Sequence, residues 1–196
     1  GTDPARVSLA MIRIGLAQVV MFDREVRSAF DRKVNPYFRH GDAVRWIAVD
    51  DRGETAGRIA AFYDSSKDEA DYVKSGGCGF FESIDDQQVA HLLFDTAKAW
   101  LQDKGYEAMD GPINFGERDS YWGLLVNGFT HPSYEIAYNP PYYQQLFENY
   151  GFKTYFKQEG FHLDVSKPMS ERFLKIVKEA IDEGMDINEI KETILK

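Results

Sequence analysis

The stretch GFFESIDDQQVAHLLFDTAKAWLQDKGY, residues 79–106, changes its hydrophobic period within a few positions. CGFFES, residues 78–83, is a short apolar run with two aromatic rings and reads as a strand. From Asp85 to Gly105 the apolar residues recur every three or four positions, which predicts a helix. Val89, Leu92, Leu93, Ala97, Trp100 and Leu101 mark its expected buried face. Ser83 or Asp85 is expected to cap the start, with Asp86 or Gln88 completing a capping box, and Gly105 supplies the left-handed stop. YEAMDGPINF, residues 106–115, then reads as a second strand that ends at Gly111-Pro112. A strand, a helix and a strand in this order imply a parallel pair across residues 77–115.

Upstream, AVRWIAVDDRGETAGRIAAFYD, residues 43–64, holds two strand-like runs around Asp51-Arg52-Gly53 and predicts an antiparallel hairpin. Before it, residues 8–30 place Leu9, Ile12, Ile14, Leu16, Val19, Val20, Val26 and Phe30 on a helical period that Asn35-Pro36 breaks. The polar run at 65–77 is expected to be a loop. Downstream, GERDSYWGLLVNGFTHPS, residues 116–133, is long for a connection and is a candidate functional loop.

SYEIAY (133–138) and KTYFKQEGFHLDV (153–165) read as strands. In NPPYYQQLFENYGF, residues 139–152, Asn139 is the expected helix cap and Pro140 the first helical residue. Tyr143, Leu146, Phe147 and Tyr150 form its stripe, and Gly151 ends it. The tail is expected to hold one or two helices, and Phe173, Ile176, Val177, Ala180 and Ile181 give the first its apolar face. The order predicts an α/β fold of the α+β kind: a mixed, mostly antiparallel sheet with a central parallel pair and helices on both faces. The expected division is a domain over 1–165 and a helical extension over 166–196 packed on or beside it.

The 196 residues suffice for one substantial core. A formal net charge of -9 argues against a broad nucleic-acid surface, which needs basic residues to displace counterions. Cys78 is the only cysteine, and His40, His91, His131 and His162 lack ligand spacing, so no metal site is expected. No apolar run is long enough for a membrane span, and a cytoplasmic protein is the expectation.

The order of elements resembles the GNAT superfamily of acyl-CoA-dependent N-acyltransferases. AGRIAAF matches the hairpin before the family's cofactor strand, and residues 79–106 match that strand and its helix. LFENYGF, residues 146–152, is similar to the family's L-Y-E-K-L-G-F ending. GRIAA, GFFE, GPIN, GLLVNGF and NPPYY together resemble one GNAT-like subgroup. The resemblance implies acetyl-CoA or another acyl-CoA as donor and a small-molecule or peptide amine as acceptor. It also implies that Phe80, Phe81, Glu82 and Ser83 line the pantetheine arm, with Gln87, Gln88 and Val89 at the diphosphate and Asn139 close by.

The family's R/Q-x-x-G-x-G/A loop is replaced, with Ile84, Gln87 and Val89 at its signature positions and Asp85 and Asp86 inside it. Phe147 stands where many members carry a proton-donating tyrosine, so Tyr143, one turn earlier, becomes the candidate acid, with Tyr142 as the alternative. Glu82 is the candidate base for the amine, and Asp110, Asn114, Glu117, Arg118 and Asp119 form a polar cluster at the expected substrate end. A GNAT fold that binds a partner without acyl transfer is the alternative reading.

Overall fold

The computed structural model describes residues 23–68, 73–116, 122–130, 135–161, 164, 166–167 and 170–182. The chain divides into two compact units, Gly1–Lys153 and Thr154–Lys196.

In the first unit the hairpin forms as its sequence requires. Strand β1 (Gly41–Val49) pairs antiparallel with β2 (Thr55–Asp64). The Asp50 carboxylate accepts from the backbone N–H groups of Arg52 and Glu54, and Gly53 takes the positive φ of the turn. β2 pairs antiparallel with β3 (Ser75–Ser83), and β3 runs parallel to the short β4 (Ala108–Asp110). The sheet order is β1-β2-β3-β4. This is the mixed, mostly antiparallel sheet expected, with the parallel pair joined through helix α2 (Gln87–Asp103). Among the described residues that pair stands at the sheet's edge. Residues 135–138 and 153–161, expected as strands, adopt no regular structure. Residues 153–161 are exposed throughout.

One face of the sheet packs on α2 and on helix α3 (Tyr143–Tyr150). The buried stripe of α2 is Ala90, Leu93, Phe94, Ala97 and Leu101. It is rotated from the expected face: Leu92 is 60% exposed, and Phe94 takes the core position, stacked on Phe81 at 4.8 Å. Phe147 and Phe152 close on Phe94 at 4.7 and 5.2 Å. The expected caps Ser83 and Asp85 are also displaced. Asp86 caps α2, its carboxylate accepting from the N–H groups of Gln88 and Val89. At the other end Gly105 has φ +82, its N–H donates to Gln102 O, and that of Tyr106 donates to Leu101 O. That pair of bonds lets Tyr106 fold back into the core beside Leu101.

The opposite face is covered by a second aromatic group: Phe38 and Phe62 meet Phe115 at 4.9 and 5.3 Å, and Phe30 meets Phe80 at 4.8 Å. Phe30 directly follows helix α1 (Asp23–Ala29), the described part of the helix expected over 8–30. Residues 8–22 lie outside the described residues, as do residues 117–121 of the candidate functional loop. In the second unit, helix α4 (Glu171–Asp182) starts under Ser170, whose hydroxyl accepts from Phe173 N–H. Phe173, Ile176, Val177 and Ala180 are its covered positions, whereas Ile181 is 63% exposed.

Candidate functional site

The β2–β3 ladder slips by one residue between two rungs. Ala60 faces Gly79 and Arg58 faces Glu82, so β3 spends one residue more than β2 over the same span. The extra residue lies in the Phe80 region, where φ is +50. A bulge of this kind changes which side of the sheet later residues face. Here it sends Phe81 and Ser83 to the α2 side and Glu82 to the side of Arg58. The left-handed backbone at a phenylalanine costs roughly 1 kcal/mol, and the Phe30 contact helps to offset it.

Beyond Gly77 the strands part. The last β3–β4 rung is Gly77 with Asp110, after which Ile113 N–H donates to Cys78 O at 2.9 Å. The Ile113 carbonyl passes so close to Gly79 that a Cβ there would stand 1.7 Å from it. From Phe80 to Ser83 no strand among the described residues pairs with this side of β3.

α3 supplies the partners at the strand's end. Ser83 N–H donates to Tyr143 Oη at 3.0 Å, and Tyr142 Oη donates to Ser83 O at 2.8 Å. The two neighbouring tyrosines thus take both backbone groups of one residue, and Ser83, 1% exposed, turns its own hydroxyl to Ile84 O. Tyr143 is buried, and desolvation raises its pKa far above neutrality, so the phenol keeps its proton. Its oxygen accepts from Ser83, while its own O–H has no acceptor among the described residues.

Glu82 lies beside this clamp. Arg58 Nη2 donates to its Oε1 at 2.6 Å, with 16% of the Glu82 side chain exposed. Desolvation raises the Glu82 pKa and the Arg58 charge opposes the rise. Glu82 and Arg58 both act electrostatically on the Tyr143 hydroxyl. The structure therefore brings Glu82, Ser83 and Tyr143 together.

Other candidates go elsewhere. The Phe80 ring meets Phe30, and Phe81 sits in the core against Tyr143 and Phe147. Gln87 ties α2 to α3, donating to Leu146 O at 3.0 Å and accepting from Asn149. The N–H groups of Gln88 and Val89 already face the Asp86 carboxylate. Asn139 does not cap α3. Its side chain accepts from Leu125 N–H and donates to Leu125 O, pinning the long loop, and α3 starts after Tyr142 with no side-chain cap. Pro140 accordingly precedes the helix. Asp110 and Asn114 lie at and after the end of β4, and Glu117, Arg118 and Asp119 lie outside the described residues.

The sequence reading missed Arg58 and the capping role of Asp86. The register that sets Arg58 opposite Glu82 depends on the bulge, which leaves no mark in the hydrophobic pattern. Among the described residues no group of three His, Cys, Asp or Glu side chains could hold a metal, and no helix is long and apolar enough to cross a membrane.

No protein-family model matches the chain. It is 33% identical to Protein YghO of Escherichia coli K12 over 119 residues, which is 60% of this chain and 30% of YghO. It is 27% identical to a bacterial ceramide synthase of Caulobacter vibrioides over 168 residues, 85% of this chain and 43% of that protein. The chain thus spans less than half the length of either curated relative. A solved structure, "Putative acetyl transferase from Pyrococcus furiosus", superposes with a TM-score of 0.40 at 16% identity, covering 72% of this chain and 89% of that one. A likeness of that size carries no argument about function.

Proposed function

We propose that the chain carries the transfer centre of a GNAT-type N-acyltransferase, moving an acyl group from a pantetheine thioester such as acyl-CoA to an amine. The observation that carries this reading is the half-buried Glu82 beside the Ser83–Tyr143 contact, at the part of β3 that has left β4. An ammonium group must lose a proton before it can attack a thioester, and a carboxylate with a raised pKa suits that work. The departing thiolate must gain a proton, and Tyr143 holds one without an acceptor among the described residues. Glu82 first takes one proton from the ammonium group and gives it up to solvent. Amine attack on the carbonyl carbon forms the C–N bond. Collapse of the adduct then breaks the C–S bond, Tyr143 protonating the sulfur while the nitrogen's second proton leaves through Glu82 and solvent returns one to the tyrosine.

One relative bears the name ceramide synthase, and a ceramide is an amino alcohol acylated on nitrogen, which is the same bond. Asp86 sets the terms for the donor. Its carboxylate sits on the helix N–H groups that a diphosphate would otherwise use, so the reading assigns donor affinity to the acyl and pantetheine parts. The same occupancy favours a second reading, a binding module without transfer chemistry.

Thermal unfolding with acetyl-CoA, a long-chain acyl-CoA, free CoA and an acyl-pantetheine separates them. A ligand of the native state at a hundredfold excess over its Kd adds about 2.7 kcal/mol. Stabilisation by the thioesters, the acyl-pantetheine included, is the expected result. If none of the four moves the transition, the acyltransferase reading fails and the module stands.

A further inference from the structure

Arg45 and Arg58 share the sheet face that carries Glu82. Arg45 faces Ala60 across the β1–β2 ladder, two residues along β2 from Arg58, so the two guanidinium groups are diagonal neighbours. Burial and then the charge of Arg58 lower the Arg45 pKa, which reflects that proximity. Among the described residues they have one carboxylate between them, that of Glu82 on Arg58 Nη2. Arg58 Nε is buried without a hydrogen-bond partner among the described residues. Among the described residues Arg45 meets no oxygen, and its guanidinium lies 4.3 Å over the Phe30 ring. Two half-buried cations sharing one anion, in a chain of net charge -9, form an isolated positive spot. Clustered like charges of this kind are costly unless something of opposite sign completes them.

We infer that Arg45 and Arg58 bind an oxyanion, a carboxylate or phosphate, carried by the amine acceptor a few bonds from its nitrogen. The planar fork of arginine matches two oxygens of such a group. Glu82 already touches Arg58, so an oxyanion seated on the pair brings a nearby ammonium group to the Glu82 carboxylate. The acceptor class is then an amine with its own acidic group, such as an amino acid or an amino alcohol phosphate. This rests on the acyltransferase reading for the word acceptor, but the oxyanion site is tested without any acyl donor.

The test follows the Arg58 Nε–H resonance by NMR of the full chain during titration with inorganic phosphate, acetate and O-phosphoethanolamine, against chloride at matched ionic strength. Saturable movement with phosphate or acetate and none with chloride is expected, and the tighter of the two names the oxyanion. Arg45→Met should weaken that binding about tenfold, the scale of losing a hydrogen bond to a charged group. Arg45→Lys keeps the charge and should fall between, which covers the case of a Met variant that does not fold. No movement with any oxyanion, or an unchanged midpoint in both Arg45 variants, overturns the site. O-phosphoethanolamine binding no tighter than phosphate overturns the link to the acceptor. Failure of every thioester to stabilise the chain, with the titration intact, would instead remove the transferase reading and leave the oxyanion site.

Discussion

At the scale of single residues, Glu82 gains its chemistry from where the bulge puts it. The folded chain holds the Glu82 proton more tightly than the unfolded chain, because burial outweighs the attraction of Arg58. Ionising Glu82 therefore subtracts stability as pH rises from the ordinary carboxylate value through the raised one, and below that window the penalty is absent. As a base it works only above the window, so the acid limb of kcat/KM for amine acylation should lie above the usual carboxylate range. Glu82→Gln should abolish that limb and lower the rate about 10²-fold or more.

The tyrosines separate by the same logic. Tyr142 spends its proton on Ser83 O, whereas Tyr143 receives a bond and keeps its own. Either Tyr→Phe change should cost about 1 kcal/mol in denaturant unfolding, but only Tyr143→Phe should also slow acyl transfer. Equal rates for the two variants would make both residues struts. Glu82 and Tyr143 entered as candidates through the family resemblance, one at the end of the expected cofactor strand and the other one turn before Phe147. Arg58 could not. Its role needs the pairing register, and a register shifted by one residue at Phe80 is not encoded in periodicity.

At the scale of elements, α2 begins on a carboxylate. Asp86 is both cap and charge, and these two functions can be pulled apart. Asp86→Ser should keep the cap within about 0.5 kcal/mol, while Asp86→Ala should lose about 1 kcal/mol, both read from chemical denaturation. If the Asp86 charge is what keeps a diphosphate away, Asp86→Ser should tighten CoA binding in a salt-sensitive way and leave acyl-pantetheine binding unchanged.

The element itself was plain in the sequence, from its period to the Gly105 stop. Its buried face was legible only to within one residue, because Leu92 and Phe94 flank the stripe and aromatic stacking on Phe81 selects Phe94. The cap was ambiguous for a similar reason: Ser83, Asp85 and Asp86 all suit the position. The hydrogen bonds that take Ser83 into the tyrosine clamp leave Asp86 as the residue facing the helix. Asn139-Pro140 made an equally good helix start on paper, yet its amide is used across the fold on Leu125. Local rules cannot register a long-range claimant.

At the scale of the whole molecule, hairpin, parallel crossover and helix-covered faces followed from element order, while the strands expected after residue 133 did not form among the described residues. Alternation alone does not make a strand unless its backbone groups find a partner strand. The stretch 153–161 shows the difference: Tyr155 is 93% exposed and Phe161 90%, in a segment with Lys153 and Lys157 and no regular backbone pairing. It also contains the boundary between the two compact units. Exposed segments without secondary structure are where proteases cut first. Brief trypsin digestion should therefore cleave at Lys153 or Lys157 before any site within β1–β4, α2 or α3, as mass spectrometry of the fragments would show. The aromatic core of Phe81, Phe94, Phe147 and Phe152 lies wholly before the cut, as do the Arg58–Glu82 and Tyr143–Ser83 contacts. The N-terminal fragment should accordingly retain a cooperative thermal transition and the phosphate response of the Arg58 Nε–H. A fragment that melts without cooperativity would mean that the first unit depends on the second for its fold, and that the candidate site cannot be understood from residues 1–153 alone.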